Sequence, residues 1–160
     1  MNATRVFIHG LESSGRGVKG EFFRKRYPDM IIEDFTGDLA DRMNALNMLL
    51  ADKTDMILVG SSYGGLMAAI FACEHEERVK KLILLAPAVG LPAFGPFLDR
   101  RLSVPVEVFQ GSFDNVLPLE PTREICSMVF SHLTFIALDD DHSLHRTFAT
   151  LDWDVLLEAS

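Results

Sequence analysis

Apolar residues in this 160-residue chain gather in short runs, parted by polar stretches rich in glycine, proline and charge. Arg5-Val6-Phe7-Ile8, Asp55 to Val59, Lys81 to Leu85, Val104 to Phe109 and Leu133 to Leu138 are runs of this kind. Each of these runs has the length of a β-strand. Between them, Leu39, Met43, Leu46, Leu49 and Leu50 recur at helical spacing, the pattern of an amphipathic crossover. The reading places strands near 4–9, 30–35, 55–60, 81–86, 104–110 and 133–138. Helices fall near 16–26, 38–52, 63–75, 119–131 and 143–158. Strands alternating with helices, joined by right-handed crossovers, predict a three-layer α/β/α sandwich around a mostly parallel sheet of about six strands. Phe22, Phe23, Met48, Met67 and Trp153 are expected in its core. No repeat, linker or low-complexity tract divides the chain, so residues 1–160 read as one domain. A domain of this size buries ~70% of its unfolded surface.

One segment carries chemistry as well as structure. Gly60-Ser61-Ser62-Tyr63-Gly64 is a G-x-S-x-G pentapeptide between the run ending at Val59 and the small-residue helix Gly65 to Ala72. A sharp strand-to-helix turn holds the central serine in a strained conformation and presents its hydroxyl at the sheet edge, provided the flanking residues are small. Ser62 is thus the candidate nucleophile. A serine hydroxyl needs an imidazole to take its proton, and that imidazole needs a carboxylate to fix its tautomer. Asp114 lies on the loop beyond the run Val104 to Phe109, and His142 on the loop beyond Leu133 to Leu138. The order Ser, Asp, His at three strand ends fits a ligand site outside the carboxyl ends of a parallel sheet.

Negative charge developing on a carbonyl oxygen needs preplaced N–H donors. The amide of Tyr63, next after the nucleophile, is one candidate. The other is the amide of Leu11, where Gly10 lets the loop after the first strand bend; His9 is expected to buttress that loop.

Together the segments FIHGLESS, VGSSYGG, FQGSFDNVLP and DDDHSL resemble the α/β-hydrolase superfamily, and within it the compact bacterial serine esterases. The resemblance spans nearly the whole chain. It implies a minimal α/β-hydrolase fold without an initial hairpin, with Ser62 as nucleophile, Asp114 as acid, His142 as base and the Leu11 and Tyr63 amides as oxyanion donors. In larger relatives a lid follows the fourth strand; here Pro87, Gly90, Pro92, Gly95 and Pro96 break the segment from Ala86 to Val104, too short for a lid. Leu91, Phe94 and Phe97 in that segment either line an acyl pocket or pin a surface loop. No glycine accompanies His142, where many relatives have one.

The implied activity is hydrolysis of small carboxylic esters by a serine carboxylesterase, with thioester hydrolysis the nearest alternative and a non-catalytic binding protein a further one. Each site residue has a structural alternative: Ser62 and Asp114 as turn residues, and His145 as a competitor to His142. Asp139, Asp140 and Asp141 read as a solvated acidic turn whose field would raise the His142 pKa and narrow activity to the alkaline side. His75 and His132 read as structural.

Composition narrows the partners to small molecules. A net charge of −8 disfavours nucleic acid and anionic membrane surfaces. No H-e-x-x-H, paired-cysteine or phosphate-loop motif occurs, so neither metal nor cofactor is expected. No transmembrane run or secretory signal is apparent, and Cys73 and Cys126 read as buried free thiols of a cytoplasmic protein. An oligomer is compatible with the sequence but not implied by it.

Overall fold

The computed structural model describes residues 3–11 and 13–158. Among the described residues, six strands form one sheet: β1 (Thr4–Ile8), β2 (Ile31–Ile32), β3 (Met56–Ser61), β4 (Val79–Leu85), β5 (Val106–Gly111) and β6 (Leu133–Leu138). Their order is β2-β1-β3-β4-β5-β6, and every neighbouring pair is parallel. The chain runs outward from β1 to β2, returns to β3 in the middle and then proceeds to the other edge. That reversal lies between β1 and β3, the position where a doubly wound sheet opens a crevice at its carboxyl end.

Helices α1 (Val18–Arg26), α2 (Leu39–Leu49), α3 (Tyr63–Glu74), α4 (Leu119–Val129) and the short α5 (Trp153–Leu156) cover both faces. The strands sort their side chains alternately. Val6, Ile8, Leu58, Leu84 and Val108 pack with α2, α3 and α4 on one face. Phe7, Ile57, Val59, Ile83 and Phe109 meet Phe23, Phe148 and Trp153 on the other. With both faces covered, alternation of polar and apolar residues is lost, which is why these strands appear in the sequence as continuous runs. Helix α3 runs against the sheet centre, and every residue from Gly64 to Cys73 is buried. A capping box between Asp38 and Asp41 starts α2.

Two predicted elements differ. The strand expected over 30–35 pairs only at Ile31–Ile32, because the Phe35 amide donates to the side chain of His9 rather than to a strand. The helix expected over 143–158 is instead a series of turns, a 3₁₀ turn at Phe148–Thr150 and then α5. Leu144 has φ 54°, which ends any helix there. Between β4 and β5 the chain makes a 3₁₀ turn over Pro92–Phe97. Among the described residues, no helix is long and apolar enough to cross a membrane.

Candidate active site

Ser62 sits between the last residue of β3 and the first of α3, with φ 55° and ψ −113°. A non-glycine residue with positive φ costs about 1–3 kcal/mol and persists only where its surroundings enforce it. Here they do so through the backbone. The Ser62 amide donates to the Leu85 carbonyl at 2.8 Å, and the Ser62 carbonyl accepts from Ala88 at 3.0 Å, Gly65 at 2.9 Å and Leu66 at 3.2 Å. The turn is thereby tied to the end of β4 on one side and to the first turn of α3 on the other.

The Ser62 hydroxyl lies 3.0 Å from Nε2 of His142. Nδ1 of the same ring lies 2.7 Å from Oδ2 of Asp114. An ionised carboxylate can only accept, so Nδ1 carries the proton and Nε2 turns a lone pair toward the serine. The other carboxylate oxygen, Oδ1, accepts the amides of Val116 and Leu117, each at 2.8 Å. Asp114 has a side chain 0% exposed, whereas that of His142 is 19% exposed. The acid is sealed behind the histidine, and the histidine keeps an edge open to solvent.

His9 is buried. Its Nε2 accepts the Phe35 amide at 2.8 Å, so Nδ1 holds the proton and donates to the Gly10 carbonyl at 2.7 Å. In a trans peptide the N–H points opposite to the C=O. The bond to the Gly10 oxygen therefore also orients the Leu11 amide. Gly10 lies beside the serine: a β-carbon on it would stand 3.3 Å from the Ser62 Cβ and 3.8 Å from the Tyr63 nitrogen. The loop beyond is fastened by Gly15, whose amide donates to Asp34 at 2.6 Å and whose carbonyl accepts from Arg24 at 3.1 Å. Among the described residues, neither the Leu11 nor the Tyr63 amide has a backbone acceptor outside regular helix and strand pairing.

Leu91, Phe94 and Phe97 lie on the connection between β4 and β5. Phe94 is 0% exposed and belongs to the core, stacked on Phe97 with ring centroids 5.7 Å apart. No part of its ring faces solvent, which makes it a pin for the loop rather than an open wall. Phe97 is partly buried, and Leu91 is 38% exposed. His145 turns outward and pairs with Asp141 at 2.7 Å. A cavity lined by Lys80, Glu107 and His132 lies at the opposite, amino-terminal ends of β4 to β6, away from Ser62. Among the described residues, no three potential metal ligands cluster.

Three supporting residues escaped the sequence reading. Gln110 is buried, donating to Leu117 at 2.9 Å and to Asp114 at 3.4 Å; a polar residue ending the apolar run of β5 was the available signal. Arg42, also buried, lies 5.6 Å from the Tyr63 ring and donates to the Gly37 carbonyl. The third is Asp140. It is not part of a solvated turn: its carboxylate is buried and accepts three backbone amides and one hydroxyl. Burial pushes its pKa up, but the bonds from Thr147, Asp141 and Arg146 outweigh this and hold it below the ordinary value.

The family model of the alpha/beta hydrolase fold matches residues 12–154. The chain belongs to the alpha/beta hydrolase fold family. Among curated relatives, it is 28% identical over 133 residues to epoxide hydrolase 3 of Xenopus tropicalis, covering 82% of this chain and 34% of that protein. The chain thus spans about a third of that relative's length. Among solved structures, Est1E from Butyrivibrio proteoclasticus superposes with a TM-score of 0.78 at 16% identity, covering 97% of this hydrolase-fold chain and 86% of Est1E. Alpha/beta hydrolase domain-containing protein 10 from mouse gives a TM-score of 0.74 at 20% identity, covering 95% and 89%. At these identities the structural likeness establishes the fold.

Proposed function

We propose that this hydrolase-fold chain is a serine hydrolase of small carboxylic esters, working through Ser62, His142 and Asp114. The observation that carries the reading is the continuous relay from Ser62 Oγ through both nitrogens of His142 to a sealed Asp114, at 3.0 and 2.7 Å. A structural serine in a tight turn needs no such relay.

In this mechanism Oγ of Ser62 attacks the acyl carbon while Nε2 of His142 takes its proton. Asp114 stabilises the resulting imidazolium and keeps the ring in register. Charge on the carbonyl oxygen falls on the Leu11 and Tyr63 amides, the first oriented through His9 and Gly10, the second at the positive end of α3. His142 then returns the proton to the leaving oxygen, giving an acyl-enzyme. Water, deprotonated by the same Nε2, releases the acid. Leu91 is close to this chemistry, since its amide donates to Ala88, whose own amide donates to the Ser62 carbonyl. It and Phe97 are the acyl contacts of this reading.

The test is labelling of the intact chain with a fluorophosphonate, read by peptide mass spectrometry. A single adduct on Ser62, absent from Ser62→Ala and His142→Ala, is expected. A folded wild type that stays unlabelled would sink the proposal.

A further inference from the structure

The histidine loop, residues 139–147, has no helix or strand of its own to hold it. It leaves β6, a partly exposed edge strand, and consists of bends and turns. Yet it must keep His142 within hydrogen-bond reach of two partners on two other loops. What holds it is concentrated in one residue. Oδ2 of Asp140 accepts the amide of Arg146 at 3.0 Å, the amide of Thr147 at 2.8 Å and the hydroxyl of Thr147 at 2.7 Å. Oδ1 accepts the amide of Asp141 at 2.8 Å. These bonds close the chain from 140 to 147 into a ring that contains His142. The main chain of Asp140 adds the second attachment: its carbonyl accepts the amide of Phe113 at 3.2 Å, next to Asp114. Gly111 packs against the same carbonyl so closely that any side chain there would collide with it. From the other side, Nζ of Lys19 reaches the Ser143 carbonyl at 2.7 Å, tying the ring to α1.

We propose that Asp140 is a positioning residue for His142. Its side chain closes the histidine loop and its carbonyl fastens that loop to the one bearing Asp114, although it makes no hydrogen bond to Ser62, His142 or Asp114. The role rests on the serine-hydrolase reading only for its kinetic consequence; the effect on the Asp114–His142 bond is independent of it. Two acceptor oxygens serving four donors need a carboxylate, because an asparagine amide would turn its NH2 against at least one of them. A displacement of about 1 Å in catalytic geometry is enough to slow chemistry about 10²-fold.

The experiment compares Asp140→Asn and Thr147→Val with a control, Asp152→Ala, which removes a cap at the start of α5. Three quantities are read: the rate of fluorophosphonate labelling at Ser62, the downfield proton resonance of the His142 Nδ1–H, and the melting temperature. Asp140→Asn should slow labelling about 10²-fold and broaden or shift the resonance. Thr147→Val, which removes one donor, should move both in the same direction by a smaller factor, and it decides the matter if Asp140→Asn does not fold. The control should lower the melting temperature alone. If both variants behave as the control does, Asp140 is only a structural cap and the inference falls. If wild-type Ser62 is unreactive but the resonance moves in Asp140→Asn, the positioning role stands and the hydrolase reading fails.

Discussion

Gly64 lies against the end of β1 so closely that a β-carbon on it would collide with the carbonyl oxygens of Ile8 and His9. Both obstacles are backbone, so neither can rotate aside. The contact explains why the turn at Ser62 requires a glycine two residues on: α3 begins against the strand that feeds the Gly10 loop. Gly64→Ala should therefore push α3 away from β1, with a loss of about 3 kcal/mol and of reactivity at Ser62. Urea unfolding with parallel fluorophosphonate labelling checks this. A variant with wild-type stability and labelling would show that the two backbones are free to separate.

His9 should matter without touching substrate. Replacing it with alanine strands the buried Phe35 amide, at a cost of about 1–3 kcal/mol, and frees the Gly10 carbonyl to turn. If the Leu11 amide supports the oxyanion, His9→Ala should lower kcat for ester substrates by more than it raises KM, because the interaction belongs to the transition state. A change confined to KM would remove His9 from the oxyanion argument.

Much of the fold was legible because a parallel sheet covered on both faces leaves its strands as uninterrupted apolar runs, as at Met56 to Val59 and Leu82 to Leu85. The candidate site was legible because strand ends in such a sheet gather at one edge, so that Ser62, Asp114 and His142 could be picked by position as well as by chemistry. What was hidden depends on partners far along the chain. Leu144, Phe148, Trp153 and Leu156 have nearly helical spacing and are all buried, yet Asp140 captures the Thr147 amide and Leu144 adopts a positive φ, so no helix spans them. Asp140 itself is indistinguishable in sequence from Asp139 beside it, although one is 1% exposed and the other is on the surface. Met48, expected in the core, is 80% exposed, because α2 buries the stripe through Met43 and Leu46 and turns Met48 away.

The thiols should be inert in the folded protein. Cys73 and Cys126 are both free and buried, and burial pushes each pKa up to about 12. The thiolate is the reactive form, so maleimide should label neither until the chain is unfolded in urea, and the treated native protein should keep its full reactivity toward fluorophosphonate. Rapid native labelling of Cys126 would mean that the α4 side of the core opens readily.

Acid should weaken the histidine loop only below the range where ordinary carboxylates titrate. The Asp140 carboxyl is held below its ordinary value of 3.8, and Asp141 is held at about 2 by its hydrogen bond from His145. For a carboxyl whose pKa falls on folding, the stabilisation is complete above the unfolded pKa and disappears as pH drops through the folded one. The Asp140 bonds should thus contribute fully from neutral pH down to about pH 5 and weaken only below the ordinary carboxylate range. Asp141 follows the same sign, but its half-open side chain leaves solvent to screen most of the effect. Asp140→Asn has no charge to lose at that position. The stability gap between wild type and this variant should be constant from pH 7 to about 5 and close as pH falls further, measured as urea midpoints in matched buffers. A gap as wide at pH 3 as at pH 7 would mean that the loop is held by the shape of the residue and not by its charge.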